Sequence, residues 1–326
     1  MGVGSVDEAP AIAGASHFLE HLLFKGTEQR SARSIAEAVD AVGGDMNAFT
    51  TKEYTAFYLR VLAKGVGRRG HSGLNLALDV LSDIFWNPAL REGELESERQ
   101  VILEEILMHA DEPSDLVHDV FAEGLFGGHP LGREVLGDAG TVTEMTRDQV
   151  MDFHRHHYRP VNVVVAAAGA VDHEELVAGI QERMGERSGG EPPARHVPSG
   201  AGRPSVVVNR PTEQAHVVVG VPGPGRDDDS RYALAILDQA LGGGMSSRLF
   251  QTIREERGLA YSVYSFHQGF DGVGAVGVYA GTSPELATQV LELIHAELDK
   301  VAEEGLTKEE IERAKGHLLG STMLSL

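Results

Sequence analysis

Apolar positions recur along the chain at two spacings. Short β-branched or aromatic runs mark strands at "NVVVAAAG" (162–169), "SVVVN" (205–209), "HVVVGV" (216–221), "LAYSVYSF" (259–266) and "GVGAVGVYAG" (272–281). "DMNAFT" (45–50) and "EYTAFYLRV" (53–61) form a further strand pair. Helical spacing runs through "GASHFLEHLLF" (14–24), "ARSIAEAVDAVGG" (32–44), "LNLALDVLSDIF" (74–85) and "EGELESERQVILEEIL" (92–107), and a helix starts near His173. In the second half, "RYALAILDQAL" (231–241), "SSRLFQTIREERG" (246–258) and two closing helices, the last containing "KEEIERAKGHLL" (308–319), have the same character.

The order helix, helix, strand, strand, helix, helix therefore occurs twice, and "ELESERQVILEE" (94–105) is echoed by "EEIERAKGHLLG" (309–320). Between the halves, "ERSGGEPPARHVPSGAGRP" lacks periodicity and reads as a linker. The expected organisation is α+β: two homologous domains, 1–185 and 205–326, joined by 186–204, each a mostly antiparallel sheet packed with helices. The first half lacks strands before its first helix and the second stops within its last matched helix. The expectation is that the first strands of domain 1 and the end of domain 2 are missing.

Composition narrows the chemistry. The absence of cysteine excludes disulfides, thiol catalysis and cysteine-ligated zinc, so any metal must use His, Asp or Glu. A net charge of −21 argues against nonspecific binding to nucleic acid or acidic lipid and is compatible with cationic peptides. No apolar run is long enough to span a bilayer and no secretory signal is visible, so a cytoplasmic location is expected.

"HFLEH" (17–21) then becomes the main candidate. On a helix, His17 and His21 lie one turn apart on one face, with Glu20 beside them. Two imidazoles so placed reach one zinc, and Glu20 can take a proton from the attacking water; packed or solvated histidines on an amphipathic helix remain the plain alternative. A catalytic zinc needs a third protein ligand. The segment 94–111 offers Glu94, Glu96, Glu98, Glu104, Glu105 and His109. Glu98 and Glu105, seven apart, share a partly apolar inward face with Val101 and Ile102 between them, and Glu104 is rotated away. An inward carboxylate needs a partner. His109 is a rival ligand near the helix end.

The pentad does not stand alone. "GASHFLEHLLFKGTEQRSARSIAEAVDAVGGDMNAFTTKEYTAFYLRVL", "ERQVILEEI", "HPLGREVLG", "FHRHHYRPVNVVVAAAG" and "GGGMSSRLFQTIREERGLAYSVYS" follow in order. Together they resemble the inverzincin peptidases of the pitrilysin/insulinase group, especially the mitochondrial-processing-peptidase-like branch. The resemblance implies a zinc metalloendopeptidase of clam-shell halves, with Zn2+ held by His17, His21 and Glu105. Glu20 would be the general base and Glu98 the supporting acid. A Gly- and Arg-rich insertion at 65–72, containing His71, accounts for the long separation between His21 and Glu105.

The same resemblance implies substrate added as a β-strand along "NAFTT", with Asn47, Ala48 and Phe49 in contact and Arg254 and Tyr261 reaching it from the second half. "GGG" (242–244) matches a glycine-rich loop, whose plain reading is a flexible turn. Leu319 occupies the position matching Glu105, so the second half would be noncatalytic. His154, His156 and His157 read as capping or stacking residues. A peptide substrate and a homodimer or heterodimer with a related subunit are the implied partners, with no nucleic acid and no membrane. The competing class is an inactive, peptide-presenting partner subunit of such a peptidase.

Overall fold

The computed structural model describes residues 1–63, 72–185, 187, 189–198, 202–203 and 205–325. The expected insertion at 65–72 and His71 lie outside the described residues, apart from Ser72, which caps the helix that follows. The chain forms two compact units, Met1–Met108 with Arg133–Arg195 and His109–Gly132 with His196–Leu326.

In the first unit, α1 (Ala15–Leu23) buries Phe18, Leu19, Leu22 and Leu23 almost completely, the i, i+3, i+4 pattern of a core-facing stripe. They pack with Leu95 and Ile102 of α4 (Glu92–Ala110) and with Val150 and Phe153 of α7 (Arg147–His157). Each such side chain contributes roughly 1.5–3 kcal/mol by leaving water. The core therefore fixes how α1 and α4 face one another, and their polar faces form the site below. A second cluster joins Ile35 of α2 (Ala32–Asp40) to Val80 and Ile84 of α3 (Gly73–Trp86). Strands β1 (Asp45–Thr50) and β2 (Thr55–Arg60) pair antiparallel, Asp45 opposite Arg60 and Thr50 opposite Thr55. α6 (Ala139–Glu144) precedes α7, and α8 (His173–Met184) follows as expected.

The second unit contains α5 (Pro113–Phe126), which packs on β3 (Ala215–Gly223). Its sheet has the order β3-β5-β4, all antiparallel, with β5 (Gly274–Thr282) central and β4 (Ala260–Gly269) at one side. α9 (Ser230–Leu241), α10 (Ala287–Glu304) and α11 (Lys308–Leu324) complete the repeated order of elements. Leu241, Leu249, Ile253, Val263, Val278, Val290 and Ile294 form its core. Among the described residues, no helix is long and apolar enough to cross a membrane.

Three expectations are corrected. Residues 162–169 and 205–209 are not strands. β-branched composition suits a strand, but a ladder needs a neighbour, and among the described residues neither run has one. Val164 is accordingly 85% exposed and Val207 75%. The helix expected over 246–258 is a π-helical turn, Phe250–Glu255, in which Glu256 N–H reaches back five residues to the Gln251 carbonyl. "GGG" is a packed turn: Gly242 is buried, and a Cβ there would lie 2.0 Å from the Ser265 backbone nitrogen on β4.

Candidate metal centre

With the apolar stripe of α1 turned into the core, His17, Glu20 and His21 occupy its remaining arc. α4 buries Leu95 and Ile102 and presents Glu98 and Glu105 to that arc; Glu104 is exposed, as its phase requires. Val101, expected to face inward, is 43% exposed because Ile102 alone lies on the buried stripe between the two acids.

His21 Nδ1 is 3.1 Å from Glu98 Oε2, and Lys25 Nζ lies 2.7 Å from the other oxygen of that carboxylate. Nδ1–H donated to Glu98 leaves the lone pair of His21 on Nε2, which lies 3.7 Å from Glu105 Oε2. His17 Nε2 lies 3.6 Å from the same oxygen. These three donor atoms are mutually within 4.8 Å. Ligands at about 2.0–2.1 Å from a tetrahedral zinc sit roughly 3.3 Å apart, so each histidine needs to approach the Glu105 oxygen by only a few tenths of an ångström. His17 Nδ1 is buried without a hydrogen-bond partner. Burial, reinforced by the neighbouring His21, pushes the His17 imidazole down to about 4, so it is neutral with a lone pair to offer at physiological pH. Donor type, spacing and protonation all fit zinc.

Glu20 lies one position before His21, and burial raises its carboxyl above the ordinary range, opposed by a hydrogen bond from Thr50. The Thr50 hydroxyl, at the end of β1, donates to Glu20 Oε2 at 2.5 Å. Thr50 was not singled out in the sequence, because its pairing with residue 20 exists only once β1 crosses α1. Glu8 was missed for the same reason: 4% exposed, it accepts the backbone N–H groups of Gly14 and Ser16 at the start of α1, each at 2.7 Å.

On β1, Met46, Ala48 and Thr50 are half-buried while Asn47 and Phe49 are exposed. Asn47 Oδ1 accepts the Ala48 N–H at 2.8 Å, and the Phe49 ring meets Tyr54 edge to face. Among the described residues β1 pairs only with β2, so its other edge has no strand beside it. In the second unit, a bulge between Ala260 and Ser262 turns Tyr261 outward, 77% exposed. The Arg254 guanidinium lies 5.1 Å from the Tyr261 ring centroid and 4.8 Å from that of Phe250. Leu319 is exposed on α11.

Three other histidines have partners of their own. His109 pairs with Asp119. His154 Nε2 bonds the Phe85 carbonyl at 2.9 Å and its ring lies on Tyr158, while His157 lies on Phe153. The ring contacts of His154 and His157 are tilted, at 32° and 49° to their neighbours, rather than stacked.

Two compact α+β units, one carrying a half-buried two-histidine, one-carboxylate set with a second acid on the same helix, have the make-up expected of a metal-dependent hydrolase. Comparison with known proteins gives the family. Residues 1–139 match insulinase (peptidase family M16), and residues 144–318 match the peptidase M16 inactive domain. An uncharacterized zinc protease of Streptomyces coelicolor is 51% identical over 333 residues, covering 99% of this chain and 71% of its own. The uncharacterized zinc protease YmxG of Bacillus subtilis is 40% identical over 331 residues, covering 100% and 78%. The crystal structure of a protease from Helicobacter pylori aligns with a TM-score of 0.88 at 23% identity, over 99% of this chain and 78% of that one. That of a peptidase M16 inactive domain from Pseudomonas fluorescens gives 0.85 at 24%, over 98% and 76%. The chain belongs to the insulinase family of peptidases, family M16.

Proposed function

We propose that the chain is a zinc-dependent endopeptidase that hydrolyses extended peptides or small unfolded polypeptides. The observation that carries this reading is the convergence of His17 Nε2, His21 Nε2 and Glu105 Oε2 within 4.8 Å, with Glu20 on the same helical arc. His17, His21 and Glu105 hold the metal. Zinc in that position supplies a Lewis acid, which acidifies water and polarises a carbonyl. Glu20 takes the proton of the attacking water and passes it to the leaving amine, and a carboxyl raised by burial is suited to both transfers. Glu98 fixes the tautomer and ring plane of His21.

The open edge of β1, at Asn47, Ala48 and Phe49, takes the peptide as an added strand, which asks little of its sequence. On the second unit, Arg254 and Tyr261 offer a cation and an exposed phenol to peptide. The second half of the chain, 205–326 after the 186–204 linker, is proposed as noncatalytic, in keeping with the inactive-domain match, and 1–185 as the half that carries the catalytic residues.

The test is Glu20→Gln against wild type, measuring zinc content and cleavage of an unstructured peptide. Both proteins are expected to bind about one zinc, while the variant loses about 10²–10⁴-fold in kcat. Cleavage that survives Glu20→Gln would sink the assigned base. Zinc bound by a wild type that cleaves nothing would favour a peptide-presenting subunit instead.

A further inference from the structure

Resting on that reading, we infer that Glu8 is a positioning residue: its carboxylate clamps the first turn of α1 and thereby sets the aim of His17 and His21. The first N–H groups of a helix have no partner within it, and the residue at the N-cap ordinarily supplies one from its side chain. Here the N-cap is Gly14, in the left-handed region at φ 94° and without a side chain. Glu8, six residues earlier, fills the role from outside. One carboxylate oxygen accepts from Gly14 and the other from Ser16, and Arg133 donates to the Glu8 carbonyl at 2.7 Å.

The same turn is gripped from its other side. A Cβ on Gly14 would lie 2.6 Å from the Leu136 carbonyl oxygen, and one on Gly137 2.4 Å from that of Ala13. The Thr141 hydroxyl donates to the Ala13 carbonyl at 2.8 Å. Glu8 is therefore one half of a clamp on residues 13–16, which end one position before His17. A rotation of α1 by ~10° moves a side-chain tip lying ~5–6 Å from the helix axis by about 1 Å. Displacements of that size at a reacting centre cost about 10²-fold in rate. Burial pushes the Glu8 carboxyl up to about 7, so above neutral pH the carboxylate form accepts both bonds.

Glu8→Gln keeps the volume but turns an amide NH2 toward one of the two backbone donors, so one bond is lost. Glu8→Asp keeps the charge with a shorter reach. The experiment uses the full chain at about pH 8, comparing amide hydrogen exchange at Gly14 and Ser16 without metal, the visible spectrum and affinity of bound Co2+, and kcat and KM with zinc saturating.

For Glu8→Gln, faster exchange at one or both amides, a changed cobalt spectrum, 10–100-fold weaker cobalt binding and a kcat lower by about 10²-fold at similar KM are expected, with partial recovery in Glu8→Asp. A variant that merely melts earlier, with wild-type exchange, spectrum, affinity and kcat while folded, overturns the inference alone. A wild type giving no tetrahedral cobalt spectrum overturns the metal reading and this inference with it.

Discussion

At the residue scale, the site depends on which atom each side chain leaves available. His21 Nδ1 lies against Glu98, so in the proposed metal site its ligating atom is Nε2. His17 is kept neutral by burial. Glu20 is held between burial, which raises it, and the Thr50 hydroxyl, which stabilises its charged form and lowers it. Removing that hydroxyl leaves the first effect unopposed. For Thr50→Val the acid limb of the kcat/KM profile should therefore move to higher pH, because Glu20 must be deprotonated to act. The rate at the plateau should fall by roughly tenfold as the carboxylate loses its anchor. A profile identical to wild type would show that Thr50 does not act on the base.

At the element scale, helices were readable where their apolar stripe and their chemistry agreed. α1 and α4 bury the residues their periodicity selects, and Glu98 and Glu105 emerge on one face because seven residues make nearly two turns. Strands were less readable. Residues 162–169 and 205–209 have the composition of strands but no ladder partner among the described residues, and pairing is invisible in a local window. Glu8 and Thr50 were illegible for a related reason, since each works on a helix start or a carboxylate that only the fold brings near. The turn at "GGG" looked flexible in sequence, yet Gly242 packs against the β4 backbone. Gly242→Ala is expected to destabilise the protein by about 1–3 kcal/mol through overpacking, read as a lower urea midpoint at constant slope. An unchanged midpoint would mean the turn yields freely.

At the scale of the whole molecule, the net charge of −21 gives the protein a field that draws cations. Of two unstructured peptides of equal length, a Lys/Arg-rich one should show the higher kcat/KM than an Asp/Glu-rich one. That gap should narrow between ~0.01 M and ~1 M salt, as the screening length falls from about 30 Å to about 3 Å. A salt-independent ratio would place the preference in local pockets. The catalytic proposal itself turns on one constellation, His17, His21 and Glu105 around a metal. Its most direct test is an anomalous difference map at the zinc edge, from crystals grown with zinc. The account predicts one peak per chain at about 2.0–2.2 Å from His17 Nε2, His21 Nε2 and a Glu105 oxygen. No peak there, or a peak held by other residues, would contradict it.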